Sequence, residues 1–222
     1  MKSELGMSAR QDGATMENSL SSQRRVPMPR RHHAIVALCC LPVLTALAAG
    51  CDEEEKATPQ IIFESRLAQA PGTNCKDSGE LFRVGEFGNS ALQQPPKPIK
   101  DGEAYEQGSV SVSCSVTPAG PDAFNVAGTV ALSGATGGLF RVDGTFKPTG
   151  EQTGIHAIFS SRRSTNTYEQ TDRACIVRYT TGFQGVAAGR VWGEITCPNA
   201  ENPSAQTSCQ ATAQFRFENC AQ

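Results

Sequence analysis

The chain has 222 residues, nine of them cysteine, and a formal net charge of −2 at pH 7. Its charged residues form no basic stripe of the kind that a nucleic-acid partner requires, so that class of partner is excluded. Heptads and repeats of about 20–50 residues are also missing from the sequence, which excludes coiled-coil and repeat architectures.

Residues 1–50 are predicted to be a leader and export signal rather than part of a folded domain. An apolar run, residues 34–49, follows two arginines. Crossing a bilayer takes about 20 apolar residues, and this run is shorter and contains Pro42, which disfavours a transmembrane helix. A basic flank, a short apolar core and small residues are typical of a signal peptide. Because the residues before it are polar, Met28 is a candidate for the true translation start.

The apolar run ends in Leu47-Ala48-Ala49-Gly50-Cys51, and acidic residues follow at once. This segment resembles the lipobox of bacterial envelope lipoproteins, with Ala48 standing where that family prefers leucine. The resemblance implies that the Cys51 thiol carries a diacylglycerol, that the peptide is cut just before it, and that the new terminus is acylated, for example with palmitate. It implies a protein anchored to a membrane of the bacterial cell envelope, facing the periplasm or the cell surface. Plain secretion and a retained membrane anchor remain the alternatives.

Residues 51–72 are predicted to be a lipidated acidic tether, and residues 73–222 a single disulfide-stabilised β domain. The tether begins with a run of acidic and polar residues, which cannot bury enough apolar surface to become ordered. For residues 60–70 we favour a short helix over an edge strand, although the apolar side chains there do not form a clean helical face.

From about residue 79 onward, apolar residues recur at every second position, which predicts β-strands. The clearest case is residues 109–116, where three valines and one cysteine alternate with four serines. The same period occurs, with varying clarity, in residues 81–87, 124–132, 140–146, 155–159, 175–179, 191–197 and 209–217. Short strands joined by turns rich in glycine and proline predict an all-β fold, either an antiparallel β-sandwich or a barrel-like domain.

The cysteines after Cys51 are even in number, which in an exported domain predicts disulfides. They are Cys75, Cys114, Cys175, Cys197, Cys209 and Cys220. There is no Cys-x-x-Cys pair, and His156 is the sole histidine after Cys51, so neither a metal site nor a cofactor is expected. The connectivity is open except for Cys197–Cys209, which we predict because both residues would lie at the mouth of one hairpin.

No catalytic constellation is evident, and we expect that the protein is not an enzyme. His156 could serve as a base, but it lies in a strand-like run where a solvated or hydrogen-bonded histidine is the simpler interpretation. The sequence has no Gly-x-Ser-x-Gly nucleophile elbow. The alternative is a carboxylate-dependent hydrolase of envelope polysaccharide, for which Glu169, Asp172 and Glu194 are the available acids.

The candidate ligand-binding residues are Arg162, Arg163 and Tyr168, within the polar segment 161–173. Loops at the ends of β domains often carry recognition, and arginines bind carboxylates and phosphates. Trp192 is predicted on the outward face of its strand, as a platform for a sugar or a partner, or as a cover for that face. The expected partners are therefore the bilayer, through Cys51, and an envelope protein or glycan. We predict a binding or structural module.

Overall fold

The structure, a computed structural model, describes residues 57–222. The predicted signal segment, Cys51 and the acidic residues up to Lys56 lie outside the described residues. Within the described part of the chain the secondary structure is thirteen strands and one three-residue 3-10 helix, so the predicted all-β fold is confirmed. None of the helical structure in residues 57–222 is long and apolar enough to cross a membrane.

All thirteen strands belong to one sheet, and every strand pairing in it is antiparallel. The strands are β1 (Gln60–Ala68), β2 (Leu81–Val84), β3 (Ile99–Lys100), β4 (Ala104–Tyr105), β5 (Gly108–Pro118), β6 (Phe124–Leu132), β7 (Gly138–Phe146), β8 (Gln152–Ser160), β9 (Thr167–Glu169), β10 (Cys175–Arg178), β11 (Gly185–Ala187), β12 (Arg190–Asn202) and β13 (Thr207–Glu218), with the 3-10 helix at Ser90–Leu92. The sheet order is β2-β1-β13-β12-β10-β8-β7-β6-β5-β4; β3 pairs with β1, β11 with β12, and β9 with both β8 and β12.

The sheet curls until the residues after β13 meet β5. The Val116 amide donates to the Ala221 carbonyl at 2.8 Å, and the Ala221 amide donates to the Cys114 carbonyl at 2.9 Å. A disulfide between Cys114 and Cys220 joins the same two segments covalently. The closure is therefore barrel-like, which decides between the two predicted all-β architectures.

The predicted alternation of apolar and polar residues is confirmed where it was clearest. On β5 the three valines are buried, whereas Ser109, Ser111 and Ser113 are exposed. On β13 the inward-facing Phe215 and Phe217 are fully buried, and the intervening polar residues are half-buried. A period of two places alternate side chains on opposite faces of a strand, so these patterns correctly predicted which face of β5 and of β13 points inward.

Phenylalanines from opposite walls fill the interior. The ring of Phe63 on β1 stacks on Phe140 of β7 at a centroid distance of 4.5 Å, and it meets Phe82 edge-on at 5.2 Å. Each such buried side chain contributes about 1.5–3 kcal/mol of transfer free energy. Phe217 on β13 reaches across to Gly128 on β6, where a Cβ would lie 2.8 Å from the ring. Gly128 therefore leaves the space that the ring occupies.

The preference for a helix over residues 60–70 is wrong. These residues form β1, which pairs with β13 along its whole length and with β2 and β3 on its other side. The β domain thus includes Gln60 onward rather than starting at residue 73, so residues 60–72 do not belong to the predicted tether. The helical preference failed because Ile62 is buried on the outer face of β1, so Ile61, Ile62 and Phe63 form an apolar run without alternation.

The six cysteines form three disulfides, as predicted, but the predicted Cys197–Cys209 pair is wrong. The disulfides are Cys75–Cys209, Cys114–Cys220 and Cys175–Cys197. β12 does not end at Cys197 but continues through a bulge to Asn202. Cys197 is therefore opposite Ala211, and Cys209 is opposite Ala200, so the two cysteines are not cross-strand neighbours.

Candidate functional site

The polar segment 161–173 does not form a free recognition loop. Its middle is the short strand β9, and Tyr168 within that strand is fully buried. The Tyr168 hydroxyl donates to Asp77 Oδ2 at 2.5 Å. Burial and this hydrogen bond both raise the pKa of Tyr168. Tyr168 is thus a core residue, and it is not available to contact a ligand from solvent.

Two buried carboxylates from the turn before β2 hold this segment in place. Asp77 also accepts hydrogen bonds from Ser164 Oγ at 2.8 Å and from Asn166 Nδ2 at 3.1 Å. Burial alone would raise the pKa of Asp77, but the hydrogen bonds from Tyr168, Asn166 and Ser164 outweigh it and lower the pKa below its usual value. Asp77 is therefore ionised at neutral pH, with its charge stabilised by these donors.

Glu80 holds the start of the same segment. Its carboxylate accepts hydrogen bonds from the Ser161 hydroxyl at 2.7 Å, from the Arg163 amide at 2.9 Å, and from the Arg162 amide. Glu80 is only 6% exposed, so most of its hydrogen-bonding capacity is satisfied within the protein. The backbone of residues 161–163 is accordingly fixed by one side chain from a distant part of the chain.

The two arginines of the segment have separate environments. The Arg162 guanidinium is half-buried over the ring of Phe82, donates to the Thr136 carbonyl at 2.7 Å, and pairs with Glu106 at 2.5 Å. Arg163 is mostly exposed, with Glu80 as its nearest acid at 3.9 Å. Trp192, the fourth candidate, lies on β12 and is not part of this segment. The structure does not bring the four predicted ligand-binding residues together.

His156 lies on the outer face of β8 between two carboxylates. Its Nδ1 is 2.8 Å from Asp143 Oδ1, and its Nε2 is 2.7 Å from Glu169 Oε1. Burial alone would lower the pKa of His156, but the two hydrogen bonds and the two negative charges outweigh it, so the pKa is raised. With both ring nitrogens occupied, the imidazole has no lone pair free for a metal or a nucleophile. The interpretation as a hydrogen-bonded strand histidine is confirmed.

A pH dependence of stability follows from this cluster. Because the folded pKa of His156 is raised, its contribution is fully present below the unfolded pKa of about 6.5 and is lost as the pH rises through the folded value. We expect the free energy of unfolding to fall by about 1 kcal/mol or less from pH 6 to pH 9, since the three side chains are only partly buried. Urea unfolding at pH 6 and at pH 9 measures this change in the free energy of unfolding. His156→Gln should remove the difference; an undiminished difference in that variant would assign it to another group.

The three acids considered for hydrolysis occupy different sites. Glu169 binds His156, Asp172 accepts hydrogen bonds from Gln170 and from the Ala174 amide, and Glu194 accepts them from Thr180 and Gln184. The cross-strand partner of Glu169 in the β9–β12 pairing is a different acid, Glu201. Both line a depression of about 410 Å³. Among residues 57–222, no group of three or more His, Cys, Asp or Glu side chains is placed to hold a metal ion.

The outward face of Trp192 is covered. Ile62, Arg216 and Trp192 form a row across β1, β13 and β12, as their register shows. The Arg216 guanidinium lies 5.1 Å from the centre of the Trp192 ring, and the Phe87 ring stacks near it at 6.4 Å. Trp192 Nε1 is buried with no hydrogen-bond partner. Trp192 therefore covers this sheet face rather than offering an open platform for a sugar.

A cleft of about 600 Å³ lies beside Trp192. Its rim carries Phe183, whose side chain is 84% exposed, and Arg190, which is also exposed. Neither residue was singled out from the sequence. The available signal was an aromatic residue in a glycine-containing turn, Thr181-Gly182-Phe183-Gln184, where polar side chains are usual.

Comparison of the chain with protein-family models, with curated proteins and with solved structures found no match in any of the three. The carboxylates that matter most for the described architecture, Asp77, Glu80 and Asp143, were likewise not singled out from the sequence. Each acts on residues distant along the chain or on a neighbouring strand, so only the folded structure brings them to their partners.

Proposed function

We propose that this protein is a lipid-anchored component of the bacterial cell envelope, whose β domain acts as a non-catalytic binding or structural module at the membrane surface. The anchor is Cys51, on its resemblance to the lipobox cysteine. The acidic residues after Cys51 act as a spacer between the acyl chains and the sheet, which begins at Gln60. Acyl chains contribute about 0.8 kcal/mol per buried CH₂, so two or three chains hold such a protein at a bilayer.

The observation that carries this proposal is the use of the cysteines. All six cysteines of residues 57–222 are consumed in three disulfides. Disulfides persist in oxidising compartments such as the periplasm or the cell exterior, which supports export of the chain. Since none of the described cysteines remains for Cys51 to pair with, its placement after small residues at the end of the apolar run is best explained by lipid attachment.

The test is to replace the proposed attachment atom. In Cys51→Ser the oxygen cannot form the thioether, so we expect the protein to leave the detergent phase of a phase-separation assay and to run as an uncleaved precursor or as a soluble form. Cys40→Ser, which alters a cysteine inside the proposed signal, is the matched control and should behave as the unaltered chain does. Detergent-phase partition of Cys51→Ser at mature size would refute the proposal, as would a mature protein without acyl mass.

The hydrolase remains a second candidate because of Glu169 and Glu201. Side chains directly opposite on antiparallel strands have Cβ atoms about 4.5–5.5 Å apart, so the two carboxylates could face each other across a bond. Glu169 is, however, already engaged by His156, and Glu201 accepts a hydrogen bond from Asn199 at 2.8 Å. Release of sugars from wall polysaccharide that Glu201→Gln abolishes would favour the hydrolase. The module proposal expects no release from either protein.

A further inference from the structure

We propose that one end of the β domain rests on the bilayer, with Phe183 and Arg190 as the contacting side chains. The partner is a membrane surface containing anionic phospholipid. This inference rests on the proposed function, because it takes Cys51 to be lipidated. It adds a second, protein-mediated contact to the acyl chains and fixes which end of the domain faces the membrane.

Phe183 is the most exposed large apolar side chain of the described residues, at 84%. The turn that displays it is braced by the buried Gln184 side chain. The Gln184 Oε1 atom accepts hydrogen bonds from the Thr180 and Thr181 amides, and its Nε2 donates to Glu194 at 3.2 Å. The turn is thus held in one conformation that keeps a phenyl ring in water. Folding gains nothing from that exposure, whereas burial of the ring in an acyl layer would be favourable.

Phe183 lies at the end of the domain where the described part of the chain begins. The cleft beneath it shares Arg190 and Glu218 with a neighbouring depression that Ala57 lines. Nearby, Asn219 Nδ2 donates to the Thr58 carbonyl at 3.0 Å. Ala57 follows Cys51 by six positions, and at about 3.3–3.6 Å per residue this stretch of chain spans at most about 22 Å. A lipid on Cys51 therefore keeps this end of the domain close to the bilayer.

The unpaired charges that the described residues place around the cleft are basic, which suits an anionic surface. Arg190 is exposed and forms no ion pair with any described residue, and Lys147, beside the cleft residue Pro148, is exposed and likewise unpaired. The acid that lines the cleft, Glu218, is already neutralised by Arg216 at 2.6 Å. Basic side chains near an anionic leaflet are attracted to it within a Debye length.

The contact would be weak by itself and effective only beside an anchor. One buried phenylalanine and one or two basic residues give a free protein an affinity for membranes of about millimolar strength. A short tether supplies an effective concentration of similar size, so the anchored domain would spend much of its time in contact. A glycan is less well suited to this cleft, because Arg216 and Phe87 already lie against the Trp192 ring.

The experiment uses the full lipidated protein in phosphatidylethanolamine–phosphatidylglycerol vesicles, with and without brominated acyl chains. Phe183→Trp places a reporter in the proposed contact. Leu81→Trp is the matched control: Leu81 is a 40% exposed apolar residue opposite Arg66, near the other end of β1. Emission of the unaltered protein gives the background from Trp192. Flotation of the vesicles reports the anchoring separately.

We expect Phe183→Trp to lose about half of its added emission to the bromines, since interfacial side chains lie about 5–10 Å into the headgroup and acyl boundary. Leu81→Trp should lose almost none, and Arg190→Ser added to Phe183→Trp should reduce the quenching. Equal quenching of both reporters in floated protein would overturn the contact while leaving the anchor intact. A reporter at residue 183 that responds only to added envelope protein would overturn it in favour of a protein partner. Protein that does not float would refute the proposed function and this inference with it.

Discussion

Replacing both members of the Cys114–Cys220 disulfide with alanine is expected to lower the free energy of unfolding by about 4 kcal/mol. The two cysteines are 106 residues apart, and constraining so long a loop in the unfolded chain has a large entropic effect. The Cys75–Cys209 disulfide shortens the effective loop, which keeps the expected value below the roughly 4.7 kcal/mol of an unconstrained 100-residue loop. Denaturant unfolding under non-reducing conditions measures the change.

The position of this disulfide adds a local effect. It joins the two segments that close the sheet, so its loss should increase amide hydrogen exchange at Val116 and Ala221 more than elsewhere in the core. Alanines at Cys175 and Cys197 are the control, because β10 and β12 remain joined there by their strand pairing. Unchanged exchange at Val116 and Ala221 in the Cys114/Cys220 variant would show that the hydrogen bonds alone hold the closure.

Asp77→Ala is expected to lower the free energy of unfolding by about 3–4 kcal/mol, because three donors would lose their acceptor. The most costly is the hydroxyl of the fully buried Tyr168, whose remaining partner is the Thr207 hydroxyl at 3.5 Å. The other donors are Ser164 and Asn166. Thermal and urea unfolding at neutral pH provide the measurement.

Asp122→Ala is the matched control, since it removes an exposed acid from a turn and should change stability by less than about 0.5 kcal/mol. The lowered pKa of Asp77 also gives the effect a direction with pH. Its ionised form stabilises the fold above the unfolded pKa of about 3.9, and this is lost as the pH falls through the folded value. Asp77→Ala should therefore lose less stability on acidification than the unaltered chain. Equal acid sensitivity of the two proteins would contradict this role.

The strand pattern was predictable wherever one face of a strand meets the core and the other meets water. On β5 the alternation of valine and serine gave both the strand and its inward face, and on β13 the spacing of Phe215 and Phe217 did the same. The choice between a sandwich and a barrel-like sheet was not predictable. It depends on hydrogen bonds between Ala221 and β5, which join residues about a hundred positions apart.

β1 and the disulfide pairing were mispredicted for related reasons. Ile62 is fully buried on the outer face of β1, in the row that Arg216 and Trp192 complete, so the strand has apolar residues on both faces and no period of two. The pairing of Cys197 with Cys209 assumed that β12 ends at Pro198. The strand instead bulges and continues, and one such irregularity moves every later residue to a new partner.

The candidate site was the least predictable part. Arg162, Arg163 and Tyr168 read as a recognition loop because polar segments between strands usually meet solvent. Asp77 and Glu80 hydrogen-bond the buried residues Ser161 and Tyr168 of that segment from more than eighty residues away and so fix it in the fold. No local sequence pattern distinguishes a polar side chain that is free to bind a ligand from one that forms hydrogen bonds within the fold.

If Cys51 is lipidated as we propose, the three cross-links also determine how a protease could detach the protein from a membrane. Any single cleavage between Cys75 and Cys220 leaves two fragments joined by at least one of the bridges, so both would stay with a lipid on Cys51. A cut in the turn between β1 and Cys75 would leave β1 paired with β13, still holding the body in place. A single cleavage can therefore release an intact soluble domain only if it occurs before Gln60. Cleavage at other positions would become visible only after the disulfides are reduced.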